Sequence, residues 1–133
     1  MKPQIRTEYI GDLRTESLHI DSNSLILTDA PLDNEGMGRK FSPTDLVVSA
    51  LSSCLLTIMG IIAKRHNIDM DGSYIESKKS MGTNPRRING IILNVYLNKT
   101  LKSKNKELLI KASKHCPVHN SLNNNIATKI TFK

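Results

Sequence analysis

Two cysteines, Cys54 and Cys116, are the side chains best suited to covalent chemistry in this 133-residue sequence. Cys54 lies in the middle of "SPTDLVVSALSSCLLTIMGIIAKRH" (42–66), which has no charged residue between Asp45 and Lys64; Cys116 lies in "ASKHCPVHNSL". A cysteine in such a setting has a plain structural reading, because free cysteine packs as a small hydrophobe. The pair opens a second reading. If the fold brings the thiols together, one can be oxidised to a sulfenic acid and the other can condense with it to a disulfide. That chemistry has a requirement, since the thiolate is the nucleophile and apolar surroundings raise a thiol's pKa. A nearby cation must offset them. Arg14 in "GDLRTES" and Arg39 in "GMGRKFSP" are the best candidates, and Glu35 or Asp45 could orient an arginine. The histidines around Cys116, His115 and His119, raise the question of zinc. Together with Cys54, His19 and His66 they show no recognised ligand spacing, so no metal is expected.

The elements that must position these residues can be read from local signals. Ser42 can cap a helix, Pro43 suits its first turn, and Asp45 stands three residues after the cap, where a carboxylate returns the hydrogen bond. Lys64, Arg65 and His66 suit the negative end of the helix dipole, and Asn67 suits a left-handed exit. Cys54 therefore falls about three turns into a helix, beyond the reach of the N-terminal dipole. Upstream, "QIRTEYI" and "LRTESLHI" alternate about a "GD" turn and predict a hairpin, with "LILT" as a third short strand. Residues 29–41 carry glycine, proline and mixed charge without a period, so they predict a loop. Downstream, strands are expected over 70–81 and in "RRINGIILNVYLN", the latter with Ile91, Leu93, Val95 and Leu97 on one face. A helix follows from Ser103 with Leu108, Ala112 and Cys116 on its apolar side, then a break or new start at Pro117, and a last strand in "IATKITF".

The length suits one domain spanning 1–133. Nineteen Lys and Arg against twelve Asp and Glu give a net charge of +7, but the basic residues are dispersed and there is no tryptophan, so neither a nucleic-acid stripe nor a base-stacking platform is evident. No nucleic-acid partner is expected. The run from Leu46 to Ala63 reaches the length of a membrane span. Ser49, Ser52, Ser53, Thr57 and Gly60 dilute it, and its neighbours read as amphipathic strands, so a buried core helix is expected rather than a membrane segment. Two distant cysteines, no CxxC and a charged N-terminus predict a cytoplasmic protein.

Taken together, "FSPTDLVVSALSSCLLTIMGIIAK" and, some sixty residues later, "ASKHCPVHNSL" resemble the paired motifs of the OsmC/Ohr family of thiol-dependent hydroperoxide reductases, on the OsmC-like branch. The resemblance implies an α+β fold in which two chains intertwine as a homodimer, with central cysteine-bearing helices wrapped by antiparallel sheets. It implies that Cys54 is the peroxidatic thiolate and Cys116 the resolving thiol, that an external dithiol reduces their disulfide, and that no metal, flavin or haem takes part. The family's thiolate-stabilising arginine lies in the N-terminal strand-turn region and matches Arg14 approximately; Arg39 is the second choice. Where organic-peroxide members have a glutamate after the helix-opening proline, this chain has Thr44 followed by Asp45. The alternative is a sensory or non-catalytic member of the same fold that binds a small molecule.

Overall fold

The computed structural model describes residues 1–133, which form two compact units, Met1–Leu46 and Val47–Lys133. In the first unit, β1 (Ile5–Gly11), β2 (Arg14–His19) and β3 (Ser24–Asp29) make an antiparallel three-stranded sheet in the order β1-β2-β3. Asp12 and Leu13, both at positive φ, form the first turn, and Arg14 pairs with Asp29 across β2 and β3. The expected loop then takes a defined course. A 3-10 turn at Leu32–Asn34 is followed by Glu35 at φ 65, and the N–H groups of Gly36 and Gly38 bond back to the Pro31 and Ala30 carbonyls, both at 3.0 Å. A Cβ at Gly36 would lie 1.8 Å from the Ala30 carbonyl oxygen, so only glycine allows this close return.

α1 (Pro43–Arg65) starts where the capping signal places it. The Ser42 N–H donates to Asp45 Oδ2 at 2.9 Å and the Asp45 N–H donates to Ser42 Oγ at 3.1 Å, closing a reciprocal box. Asn67, at φ 54, makes the left-handed exit.

In the second unit, β4 (Tyr74–Gly82), β5 (Arg87–Tyr96) and β6 (Ala127–Phe132) form the other sheet, in the order β4-β5-β6. Along β5, Ile91, Leu93 and Val95 are fully buried while Ile92 is exposed, the period-two pattern of a sheet with one covered face. The covering surface is α1: Val48, Leu51, Leu55, Met59 and Ala63 recur at helical spacing and pack against that face in two adjoining apolar clusters.

Two expectations need correction. β6 runs parallel to β5, so this sheet is mixed rather than antiparallel. The cause is the crossover: α2 (Ser103–Ser113) and α3 (Pro117–Ser121) lie between β5 and β6 and carry the chain back to the same end of the sheet. Second, α2 buries Leu109, Ala112 and Ser113, and ends before Cys116. Pro117 disfavours a helical residue ahead of it, and Cys116 is accordingly extended, at φ −69 and ψ 113, as the N-cap of α3.

Candidate active site

Within the second unit the fold brings the two cysteines together. Cys54 projects from α1 beside the cluster formed by Val48, Leu51, Leu55, Ile91 and Leu93, and it is half-buried. Cys116 belongs to that cluster and exposes none of its surface. Both thiols are free, and Cys54 packs against the apolar cluster to which Cys116 belongs.

The pair is chemically unequal. Burial pushes the Cys116 thiol up from its ordinary pKa, and its hydrogen bond and charge interaction with Cys54 push the same way. Two backbone donors oppose this: the His119 N–H, 3.4 Å from Cys116 Sγ, and the Val118 N–H. A Cys116 held protonated can donate its S–H to the sulfur of Cys54. The arrangement thus offers one accessible sulfur and, next to it, a buried proton-bearing one. His115 is exposed, and His119 serves Cys116 through its main chain.

In the first unit Arg39 pairs with a carboxylate that sequence reasoning missed, Asp29, and Arg14 contributes only its charge nearby. Asp29, fully buried at the end of β3, accepts from Arg39 Nε at 2.6 Å, from the Arg39 backbone N–H at 3.0 Å and from Arg39 Nη2 at 3.4 Å. Arg39 Nη2 also reaches Asp12 Oδ2 at 2.9 Å. Each partner holds the other charged. The Arg39 hydrogen bond leads in keeping the Asp29 carboxyl below its usual range, with the Arg14 charge a smaller contribution in the same direction. Arg14 Nε is buried and makes no hydrogen bond. Of the carboxylates expected to orient an arginine, Glu35 is exposed and takes no part in the Arg39 pairings, and Asp45 closes the cap of α1.

The sign of the Asp29 effect makes a prediction. A carboxyl whose folded pKa is depressed stabilises the fold above its unfolded value, near 3.8, and loses that contribution as pH falls through the folded value. Asp29→Asn should therefore lower Tm at pH 7 by roughly 5–10 °C. The gap between variant and wild type should narrow in melts recorded well below pH 3.8.

Comparison with known proteins adds four findings. The family model described as OsmC-like protein matches residues 36–131. A solved structure from Psychrobacter arcticus 273-4, named as an osmotic stress induced and detoxification response protein, superposes with a TM-score of 0.94 at 38% identity, covering 100% of this chain and 97% of that one. A Legionella pneumophila structure named as an organic hydroperoxide resistance protein OsmC gives a TM-score of 0.75 at 17% identity, covering 100% and 98%, which is a likeness of fold. An uncharacterized protein of Methanocaldococcus jannaschii is 29% identical over 97 residues, 71% of this chain. This chain spans about half, 51%, of the length of that curated relative.

Proposed function

The chain belongs to the OsmC-like protein family, and from that premise we propose that it is a thiol-dependent peroxidase acting on organic hydroperoxides or hydrogen peroxide. The observation that carries the reading is the placement of a half-exposed Cys54 within reach of a buried Cys116. The Cys54 thiolate attacks a peroxide oxygen, the O–O bond breaks, and the alcohol or water leaves with a proton. Cys54 is now a sulfenic acid. Cys116 displaces its hydroxyl as water and forms the Cys54–Cys116 disulfide, which an external dithiol reduces. The thiolate needs a nearby cation, the role expected of Arg14 or Arg39. The cycle calls on no metal, flavin or haem.

We further propose that the working form is a cytoplasmic homodimer. α1 supports this: it is apolar around most of its circumference, yet only 28% of its most apolar 18-residue window is buried within one chain. A second copy would cover part of the remainder. Sedimentation should give twice the chain mass, and a monomer at micromolar concentration would contradict it. The enzymatic reading is tested by steady-state consumption of cumene hydroperoxide and of hydrogen peroxide with dithiothreitol as reductant. Consumption that saturates with enzyme and requires the dithiol is the expected result. A sensory or ligand-binding protein of this fold would leave both peroxides at the rate of a protein-free control.

A further inference from the structure

We propose that reduction of the Cys54–Cys116 disulfide has a fixed polarity: the external thiolate attacks the sulfur of Cys54, and Cys116 is the leaving sulfur, received by the backbone N–H of His119. The inference rests on the disulfide cycle above and concerns the step that closes it.

Access is the first determinant. Thiol–disulfide exchange requires the nucleophile to approach in line with the breaking S–S bond, and the rate at each sulfur depends on access and on the leaving thiol. Cys116 exposes no surface and is enclosed by Val48, Leu51, Leu55, Ile91 and Leu93. Reaching its sulfur would mean opening that core. Cys54 is half-buried, so part of its surface is open to an incoming thiolate.

The leaving group is the second determinant. When Cys54 is attacked, negative charge develops on Cys116, where the His119 N–H already stands 3.4 Å from Sγ and the Val118 N–H adds a second favourable dipole. Donors fixed before the charge appears need no reorganisation to stabilise it. Pro117 has no amide proton of its own and holds Cys116 in the extended conformation that presents Sγ to the His119 N–H. The apolar walls oppose a lasting charge, so the thiolate is short-lived.

The electrons balance in two exchanges. One thiolate of the dithiol forms a bond to Cys54 Sγ, the Cys54–Cys116 bond breaks with its electron pair on Cys116, and Cys116 takes a proton. The second thiolate of the reductant then attacks its own sulfur in the mixed disulfide and expels Cys54 as thiolate. The reductant leaves as a disulfide, oxidised by two electrons.

The test uses the full chain oxidised with diamide, which makes the disulfide without peroxide. A brief pulse of glutathione is quenched in acid, free thiols are alkylated, and peptide mass spectrometry locates both labels. At the earliest times glutathione should occupy Cys54 over Cys116 by more than about tenfold, with the alkyl group on Cys116. Glutathione on Cys116, or divided equally, overturns the proposal, and so does a chain that diamide leaves with both thiols free. In His119→Pro, which lacks the N–H donor, the adduct should form roughly three- to tenfold more slowly at the same site. An unchanged rate removes the part given to His119, while the mapping in the wild type stands on its own should the variant not fold. If peroxide fails to form the disulfide but the diamide-made bond still maps to Cys54, the peroxidase reading falls and this polarity survives.

Discussion

Cys54→Ser is expected to abolish dithiol-dependent hydroperoxide consumption, lowering the rate by at least about 10³-fold. The reason is the chemistry of the nucleophile. A thiolate is both accessible near neutral pH and intrinsically reactive toward peroxide oxygen, whereas a serine hydroxyl stays protonated and has no neighbouring base on α1 to activate it. The exchange should leave the fold intact, because Cys54 is half-buried and serine is smaller and tolerates the solvent side of a helix. Cys116 cannot take over, since it is fully buried and burial holds it protonated. A Cys54→Ser protein with wild-type melting behaviour and undiminished turnover would show that the reaction does not pass through this sulfur.

Cys116→Ser should separate the first turnover from the rest. The first oxidation of Cys54, followed by stopped flow, should keep its rate within about threefold, because the attacking sulfur is untouched. The sulfenic acid then finds no resolving thiol. With excess hydroperoxide it should proceed to sulfinic acid, visible as two added oxygens on the Cys54 peptide, and steady-state activity should decay during the assay. A buried hydroxyl among Leu51, Leu55, Ile91 and Leu93 also costs stability, about 1–3 kcal/mol when it lacks a partner. Cys116→Ala, which avoids that burden, should show the same over-oxidation. Sustained turnover without sulfinic acid in both variants would mean that the sulfenic acid is reduced directly, without Cys116.

Signals carried by a few neighbouring residues were legible in the sequence. Ser42, Pro43, Asp45 and Asn67 bound α1 because capping is decided within one turn, and the alternation from Ile91 to Val95 identifies a strand with one covered face. Relationships between distant segments were not. The parallel pairing of β5 and β6 depends on the route of the α2–α3 crossover, which has no signature in either strand. Cys116 reads as a continuation of α2 by spacing alone, and only the conformation that Pro117 imposes moves it to the cap of α3. Asp29 was hidden among the polar residues that open a loop. Its partner Arg39 is ten residues away, and the return at Gly36 that joins them is a matter of close backbone approach. A physical clue existed, since a carboxylate that ends an apolar strand needs a paired cation if it is buried. Nothing in the sequence states that burial.

The most direct measurement is a thiol count after one equivalent of cumene hydroperoxide, with the alcohol product quantified in the same sample. A Cys54–Cys116 disulfide cycle predicts one cumyl alcohol per chain, loss of both titratable thiols together, and an intrachain disulfide linking the Cys54 and Cys116 peptides. Both thiols still titratable beside unconsumed hydroperoxide would contradict it.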